Sequence, residues 1–241
     1  MNQYKAQAIV RQTRQFYNTA AKEWDVSRGT PSPIKIKLIK PVKPGMNVLD
    51  LGCGNGLMVA PILGRGANYF GADISDKFIA LCKKRYLSYI KTKQAEFKTA
   101  DAVKLPYKNN FFDYAVSIAV MHHIPSAELR LKFLQELYRV MKSAAVAKID
   151  NWNLLEEWGR NKYKIENQLK NILAGHDEGD VLIPWKATGG KAIPRYLHIF
   201  SDGELKDLAR TAGFKKIKIE YFNRAGVKTK NGEAQVLTIK K

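Results

Sequence analysis

The sequence predicts an α/β fold built on a doubly wound, mostly parallel sheet. Between residues 45 and 150, short apolar segments with strand character alternate with segments of helical periodicity. A turn with three glycines follows the first strand, and acidic residues follow the next two. Such alternation indicates a parallel sheet covered by helices on both faces, with ligands bound beyond the carboxyl ends of its strands.

Two helices are expected before the sheet, so residues 1–44 are predicted to form a helical cap. Residues 4–27 place apolar and aromatic side chains on one face, and the Gly- and Pro-containing segment Arg28–Pro33 ends that helix. A second helix is expected over Ile34–Ile39, before the next prolines.

The elements of the central region, residues 45–150, follow from apolar runs and apolar spacing. We expect strands at Asn47–Leu51, Asn68–Asp73, Ala95–Thr99, Phe111–Ile118 and Ala144–Ile149. We expect helices at Leu57–Arg65, Asp76–Ile90 and Ala127–Met141.

Residues 151–200 interrupt this alternation. They mix three tryptophans with basic and polar residues, and Gly175–Gly190 is predicted to be a loop. An insertion of this length after a fifth strand is typical of a lid or substrate-binding element.

Residues 201–241 are predicted to close the sheet. Ser201, followed three residues later by Glu204, is typical of a capped helix start, and this helix is expected to end at Ala212. Two strands, Lys216–Tyr221 and Gln235–Ile239, then complete a mixed sheet. We therefore expect residues 1–241 to form a single domain.

Composition excludes several classes of protein. Hydrophobic residues make up 45% and charged residues 26% of the 241 residues, which is the balance of a globular protein. No apolar run approaches the roughly 20 residues that a membrane span needs, so no membrane association is expected. Cys53 and Cys82 are spaced for neither a metal site nor a disulfide framework, which favours a reducing cytoplasm and predicts no metal.

The charge is strongly positive, with a formal net charge of +19. Residues 1–44 carry nine basic and two acidic side chains, and residues 212–241 carry eight basic and two acidic ones. An excess of this size attracts polyanions through counterion release. Such a charge can also serve solubility alone, but its size favours a nucleic acid partner.

The turn Asp50–Gly56 is built for close approach of a ligand. Its glycines lack Cβ atoms, and the helix that follows presents free N–H groups. Asp73, seventeen residues after Gly56, ends the second strand, where an acid accepts hydrogen bonds from ribose hydroxyls. Asp101, near the end of the third strand, is placed to bind an adenine amino group.

A tight strand-to-helix connection and a nicotinamide site can also contain a glycine-rich turn. A nicotinamide site normally has the spacing Gly-x-Gly-x-x-Gly, whereas this turn has Gly-x-Gly-x-Gly. With its two following acids, the turn resembles motif I and its successors in class I methyltransferases, over about residues 45–150. The resemblance implies a Rossmann-like class I methyltransferase fold and S-adenosyl-L-methionine as cofactor. The cofactor-binding residues that it implies are Asp50, Gly52, Cys53, Gly54, Asn55, Gly56, Asp73, Ile74, Asp101, Ala102 and Ser117.

One segment departs from this pattern. Most relatives have a Pro-Gly-Gly turn before the fifth strand, and Met141–Ala145 replaces it here. The connection into the fifth strand must therefore be made differently.

The segment Ser117–His123 after the fourth strand bears on the methyl acceptor. It lacks the Asp/Asn-Pro-Pro-Tyr pattern of enzymes that methylate exocyclic amines of bases. Methylation of a base carbon through a covalent adduct needs a nucleophilic thiol, and neither Cys53, in the glycine turn, nor Cys82, in a helix, suits that role. Both classes of reaction are therefore disfavoured.

The same segment resembles the family that methylates the carboxylate of 5-carboxymethyluridine at the wobble position of transfer RNA. The resemblance extends over most of the chain, through Phe16–Asn18, Asp180–Lys186, Arg195–Phe200, Ala212–Phe214 and Asn223–Arg224. The closing aromatic pair of that family is replaced by Ala225-Gly226.

This resemblance implies an acceptor that is already ionised, so no general base is needed. A carboxylate instead needs cationic and hydrogen-bonding groups that position it, for which Arg is best suited. The predicted catalytic residues are Arg28, His122 and His123. The predicted substrate-binding residues are Arg28, Trp185, Arg195 and Arg224.

Structural roles remain open for several of these residues. One of His122 and His123 is expected to be an ordinary strand-end residue, and Arg195 is an alternative ion-pair partner for Asp180. Trp152 and Trp158 are assigned to the core rather than to the site. The lysines between residues 35 and 43 fit a solvated face and phosphate contact equally well.

The partners implied are the anticodon loop of transfer RNA and, as in some relatives, a small zinc-binding activator subunit. Two rival functions are a methyltransferase of a small molecule, such as a quinone or fatty acid precursor, and a non-catalytic RNA-binding module. The first predicts an apolar insertion, and the second predicts a spoiled cofactor turn. Neither feature is present.

Overall fold

The computed structural model describes residues 1–27, 29–170, 174–186 and 192–241. Its helices are α1 (Gln3–Ser27), α2 (Pro33–Leu38), α3 (Val59–Leu63), α4 (Asp76–Arg85), α5 (Leu87–Lys91), α6 (Ala127–Val140), α7 (Glu157–Tyr163), α8 (Ile165–Lys170) and α9 (Asp202–Thr211). Its strands are β1 (Asn47–Leu51), β2 (Asn68–Asp73), β3 (Ala95–Thr99), β4 (Phe112–Ile118), β5 (Met141–Trp152), β6 (Asp180–Lys186), β7 (Ala192–His198), β8 (Lys216–Phe222), β9 (Lys228–Thr229) and β10 (Ala234–Lys240).

Within the described residues, eight strands form one sheet in the order β3-β2-β1-β4-β5-β10-β8-β9. The five strands from β3 to β5 are parallel, whereas β10 pairs antiparallel with both β5 and β8. The predicted doubly wound, mostly parallel sheet is confirmed. The chain order reverses between β1 and β4, which places the carboxyl ends of these two strands side by side.

A hydrophobic core lies on each face of the sheet. On one face, α6 and α9 pack through buried residues that include Phe133, Leu137 and Leu205. On the other face, α2, α3 and α4 pack through Leu38, Ile62 and Ile79. Burial of a Leu or Ile side chain contributes roughly 1.5–3 kcal/mol, so these two layers hold the strand ends in place.

Two helices are shorter than predicted, because the glycine turn extends further than expected. The helix predicted at Leu57–Arg65 covers only Val59–Leu63. The helix predicted at Asp76–Ile90 is interrupted at Tyr86, whose hydroxyl donates to the carbonyl oxygen of Gly56 at 3.1 Å. The side chain that ends α4 therefore supports the turn.

Strand β5 begins directly after α6 and is twice as long as the predicted strand Ala144–Ile149. Ala144 takes a left-handed backbone conformation with φ of +63°, and its N–H donates to the carbonyl oxygen of Lys241 at 3.0 Å. This local distortion replaces the missing Pro-Gly-Gly turn. The added residues at the carboxyl end bring Trp152 to the edge of the ligand side.

The prediction of a loop over Gly175–Gly190 is wrong for Asp180–Lys186, which forms β6 and pairs antiparallel with β7. Val181 and Ile183 alternate inward and are buried, but the nearby glycines and Pro184 obscure this strand pattern in the sequence. Residues 187–190 of the predicted loop lie outside the described residues.

Buried polar contacts hold this hairpin against the rest of the domain. Asp180 accepts hydrogen bonds from Tyr196 at 2.6 Å and His198 Nδ1 at 2.8 Å. His198 Nε2 also bonds Glu204 of α9 at 2.9 Å, and Arg130 of α6 lies 3.4 Å from the same carboxylate. Two hydrogen bonds to carboxylates raise the pKa of His198 despite its burial.

Helix α1 lies across the carboxyl ends of the strands. Asn18 donates to Asp76 at 2.7 Å, and Asp25 pairs with Arg85 at 2.5 Å, so two points of α1 are fastened to α4. Although α1 has 25 residues, no helix in the described parts of the chain is both long and apolar enough to cross a membrane. The position of α1 makes it the roof of the site described next.

Candidate active site

A cavity of about 450 Å³ opens at the carboxyl ends of the parallel strands, beneath α1. Residues that follow β1, β2, β3 and β4 form its floor, and Tyr17 and Trp24 of α1 form part of its roof. Open parallel sheets bind ligands at this position, where the strand order reverses. Volumes of this size are typical of small-molecule sites.

The glycine turn forms one wall of the cavity. Gly52, Gly54 and Gly56 have φ of +79°, +51° and +78°, which is the region that favours glycine. A Cβ atom on Gly52 would lie 2.1 Å from Cγ2 of Val120, whereas a Cβ on Gly54 would meet no described atom within 4 Å. The turn is therefore closely packed on its protein side and open on its cavity side, which fits a ligand that approaches the backbone.

Asp73 connects this turn to the end of β2. Its Oδ2 accepts from the Gly54 N–H and its Oδ1 from the Ser75 N–H, both at 2.8 Å. Burial raises the pKa of the Asp73 carboxyl, and the two N–H donors partly offset this effect. Each oxygen keeps a further lone pair, as the binding of ribose hydroxyls requires.

Asp101 lies at the far end of the cavity with Ile74 and Ala102. Its Oδ1 accepts from the Val103 N–H at 3.1 Å, which holds the carboxylate at the end of β3. The structure thus places one acid beside apolar side chains, an environment that suits a base with an exocyclic amine.

Asp50, at the end of β1, is a second buried carboxyl on the cavity wall. The Tyr69 hydroxyl donates to its Oδ2 at 2.7 Å. Burial raises the pKa of Asp50 to about 7; the Tyr69 hydrogen bond opposes this shift, the charge of Asp73 adds to it, and the charge of Lys35 opposes it. A cationic ligand group would relieve the cost of this buried carboxylate.

The remaining predicted cofactor residues fall into two groups. Cys53 and Asn55 line the cavity, and the Asn55 amide donates to Asp25 of α1 at 3.1 Å. Gly56 and Ser117 do not line it. The Ser117 hydroxyl donates to the carbonyl oxygen of Leu51 at 2.9 Å, so it supports the turn from behind.

His123 lies on a 3₁₀ turn, Met121–His123, and lines the cavity opposite the glycine turn. Its Nδ1 is 3.0 Å from the carbonyl oxygen of Tyr196, which only accepts, so Nδ1 carries the proton. Its Nε2, 2.7 Å from the Tyr17 hydroxyl, then accepts from that group. Burial, with the nearby charge of Arg195, lowers the pKa of His123 to about 3, so the ring is neutral.

His122 points away from the cavity. Its Nδ1 accepts from the backbone N–H of Trp152 at 3.3 Å. Burial, followed by the charges of His123 and Arg195, holds its pKa well below the usual range. Of the two predicted histidines, the structure therefore brings only His123 to the cavity.

Arg195 of β7 lines the cavity beside His123 and is only 6% exposed. Its guanidinium carbon lies 5.0 Å from the ring centroid of Trp152 and 5.8 Å from that of Phe16. Among the described residues no carboxylate pairs with it, and its Nε has no hydrogen-bond partner. The expected alternative pairing with Asp180 is wrong, because Tyr196 and His198 occupy that carboxylate.

The structure does not bring the other predicted substrate-binding residues into the cavity. Trp185 packs behind the roof, with ring centroids 5.0 Å from Phe16 and 6.5 Å from Trp24. Arg224 is at the surface, with its side chain 69% exposed and its guanidinium 5.0 Å above the Trp158 ring. Arg28 lies outside the described residues.

Four cavity residues are absent from the sequence-based site. Tyr17 and Trp24 lie on the apolar face of α1, which in sequence resembles a face that packs on the core. Trp152 was assigned to the core because the fifth strand was predicted to end at Ile149. Lys35 was one lysine among several in a basic segment, with no signal that separated it from its neighbours.

Comparison with known proteins agrees with this geometry. Residues 49–147 match the family described as "Methyltransferase domain". The tRNA (carboxymethyluridine(34)-5-O)-methyltransferase of Saccharomyces cerevisiae is 30% identical over 183 residues, which are 74% of this chain and 58% of that protein. Its counterpart in Schizosaccharomyces pombe is 28% identical over 217 residues, 83% of this chain and 86% of that protein.

Several other relatives of the same name are much longer proteins. The chain spans 21% of the mouse protein ALKBH8, 36% of its Xenopus tropicalis counterpart and 34% of the Arabidopsis thaliana enzyme. The chain therefore corresponds to one part of these relatives.

Among solved structures, a SAM-dependent methyltransferase of Methanosarcina mazei superposes with a TM-score of 0.64 at 24% identity, covering 88% of this chain and 99% of that one. The likeness is one of fold. Together with the domain match and the cavity of acids and glycines, it identifies this chain as a class I methyltransferase whose cofactor is S-adenosylmethionine.

Proposed function

We propose that this chain methylates the carboxylate of 5-carboxymethyluridine at the wobble position of transfer RNA, forming a methyl ester. The observation that carries the proposal is Arg195, a buried guanidinium on the cavity wall for which the described residues supply no carboxylate. Buried charges are costly unless they are paired, so this arrangement favours an anionic acceptor. The named relatives act on an acceptor of this kind, which adds support.

When bound, S-adenosylmethionine supplies an electrophilic methyl group on a sulfonium. An acceptor carboxylate forms the new oxygen–carbon bond while the sulfur–carbon bond breaks, and S-adenosylhomocysteine leaves. No proton is transferred in this step. The enzyme therefore has to position the carboxylate and exclude water, and it needs no general base.

Arg195 suits the positioning role. A guanidinium presents several N–H donors in one plane and binds a carboxylate with two of them. The rings of Trp152 and Phe16 hold the guanidinium by cation–π contact. In this proposal one carboxylate oxygen rests on Arg195 and the other faces the methyl donor.

His123 is a positioning residue and not a base in this proposal. Both of its ring nitrogens are occupied, by the Tyr196 carbonyl oxygen and the Tyr17 hydroxyl. Through these two bonds it joins β7, which carries Arg195, to the roof helix α1. Its neutral state leaves Arg195 as the cation that faces the acceptor.

The high positive charge supports an RNA acceptor rather than a small molecule. An exposed group of aromatic and basic side chains lies outside the cavity, where Arg224 and Lys162 stand over the ring of Trp158. Unstacked bases of an RNA loop bind to such surfaces by stacking, and phosphates bind to the cations.

The decisive experiment measures transfer of a labelled methyl group to transfer RNA with and without the carboxymethyl group at the wobble uridine. We expect labelling only of the carboxymethylated RNA, and labelling that alkaline hydrolysis removes, because esters are alkali-labile. Equal labelling of both RNAs, or an alkali-stable product, would contradict a carboxylate acceptor.

Binding of the RNA provides an independent test. If several phosphates are contacted, affinity should fall by a factor of about 10³ between 50 and 200 mM salt. Binding that is insensitive to salt would favour the small-molecule alternative. The small zinc-binding subunit implied by the family resemblance stays a prediction, and full activity of the purified chain alone would contradict it.

A further inference from the structure

Lys35 stands apart from the other lysines of α2 and its flanks. It lines the cavity, whereas Lys37, one turn position away, donates from its Nζ to the carbonyl oxygen of Gly226 at 2.9 Å and lies over the Phe222 ring. The same short helix thus directs one lysine into the site and another onto the closing strands. A solvated face does not account for the position of Lys35.

The strand order locates Lys35 relative to the rest of the site. Asp101, Asp73 and Asp50 follow β3, β2 and β1, which are neighbouring strands about 4.8 Å apart. The ribose-side and adenine-side acids therefore lie one and two strands away from Asp50. A ligand whose adenosine occupies β3 and β2 extends its other end over β1 and β4.

Two carboxyls flank Lys35 at that end. Asp50 follows β1 and Asp150 lies near the end of β5, and the strand β4 separates them. Asp150 is only 6% exposed, and its Oδ1 has no hydrogen-bond partner among the described residues. Burial raises the pKa of each carboxyl to about 7, and the charge of Lys35 opposes both shifts. The ammonium of Lys35 is therefore close enough to act on both.

We propose that Lys35 and Asp50 bind the amino-acid end of S-adenosylmethionine, with Lys35 on its carboxylate and Asp50 on its ammonium. The amino-acid end is a zwitterion, and this part of the cavity offers one group of each sign on its wall. Asp150 is a positioning residue that holds Lys35 between β1 and β5.

This assignment separates the two anions that the site has to bind. Lys35 lies on the side of the glycine turn, and Arg195 lies on the side of His123 and Trp152. Each carboxylate, that of the cofactor and that of the acceptor, then has its own cation. The assignment to Lys35 concerns the cofactor alone and stands whether or not the acceptor is an RNA carboxylate.

The test compares three ligands by isothermal titration, without any acceptor. They are S-adenosylhomocysteine, its analogue that lacks the carboxylate but keeps the amine, and 5′-methylthioadenosine, which lacks both. Lys35→Gln should weaken binding of S-adenosylhomocysteine about 10- to 100-fold, the range of a hydrogen bond to a charged group. Binding of the other two ligands should change less than about twofold, within the scatter of independent sites.

Lys37→Gln is the matched control, because it removes the same charge from the same helix outside the cavity. It should leave all three affinities unchanged. Equal weakening of all three ligands by Lys35→Gln would overturn the proposal and indicate a structural role for Lys35, as would unchanged binding of S-adenosylhomocysteine. Asp50→Asn should weaken the two amine-containing ligands and spare 5′-methylthioadenosine; equal loss of all three would remove Asp50 from the assignment.

Discussion

The two ends of the cavity are constructed differently. The cofactor end consists of the glycine turn and two acids, each directly at or just past the end of a neighbouring parallel strand. The acceptor end combines Tyr17 of α1, His123 of the 3₁₀ turn, Trp152 of β5 and Arg195 of β7. The first end depends mainly on local backbone conformation, and the second depends on side chains that only the folded chain brings together.

The ends also differ in their buried titratable groups. At the cofactor end burial raises the pKa of carboxyls, as for Asp50, and at the acceptor end it lowers the pKa of histidines, as for His123. Both effects disfavour a buried charge. Their consequences for stability are opposite: the carboxyls favour the fold at low pH and the histidines favour it at high pH.

Removal of the acceptor-side cation should have the largest effect. Arg195→Met should lower methyl transfer at least 100-fold, or about 2.7 kcal/mol, because an ionic partner of the carboxylate is lost. Affinity for S-adenosylhomocysteine, measured by titration calorimetry, should change less than about twofold. Arg210→Met, at an exposed arginine paired with Asp207, is the control. A parallel loss of cofactor binding would show that the two ends are not separable.

Asp50→Asn should stabilise the ligand-free protein while it weakens the cofactor. The pKa of the Asp50 carboxyl is raised from 3.8 to about 7 on folding, so the native state binds more protons between these values. Wild-type stability therefore falls as pH rises through that window. At pH 8 the variant should gain on the order of 2–3 kcal/mol, and at pH 4 the gain should vanish. Urea unfolding at both pH values measures this, and a gain independent of pH would contradict it.

His123 should produce the opposite pH dependence. Its pKa falls from 6.5 to about 3 on folding, so the unfolded state binds more protons in this window and stability is lost as pH falls. Wild type should lose about 2 kcal/mol between pH 7 and pH 5 through His123. His123→Gln should show a smaller loss over the same interval in urea unfolding. An unchanged slope would mean that His123 is protonated in the folded state.

The hydrogen bond between the roof and the floor should have the smallest effect. Tyr17→Phe removes the hydroxyl that donates to His123 Nε2, a loss of about 1 kcal/mol. Dissociation of S-adenosylhomocysteine, measured by stopped flow, should be about fivefold faster, because α1 is held less firmly over the cavity. Tyr4→Phe, on the exposed first turn of α1, is the control. Unchanged dissociation would indicate that α1 is held by its contacts to α4 alone.

Prediction from sequence succeeded where function depends on consecutive residues. The turn Asp50–Gly56 has its conformation specified by glycines that lie close together in the chain, and Asp73 and Asp101 follow strands that their apolar residues identify. Prediction failed for the strand β6, for the end of β5, and for Trp152, because each depends on pairing with a distant segment. Strand pairing and burial are settled by partners that a local pattern does not contain.

By itself, the sequence determined the order of strands and helices, the cofactor turn with its acids, and the excess of positive charge. Only the tertiary structure decided which of two adjacent histidines faces the cavity, which lysine of α2 enters it, and that Arg195 rests on Trp152 without a carboxylate among the residues described. The physical reason is one of distance along the chain. Backbone conformation follows from neighbouring residues, whereas burial and charge pairing follow from residues that meet only after folding.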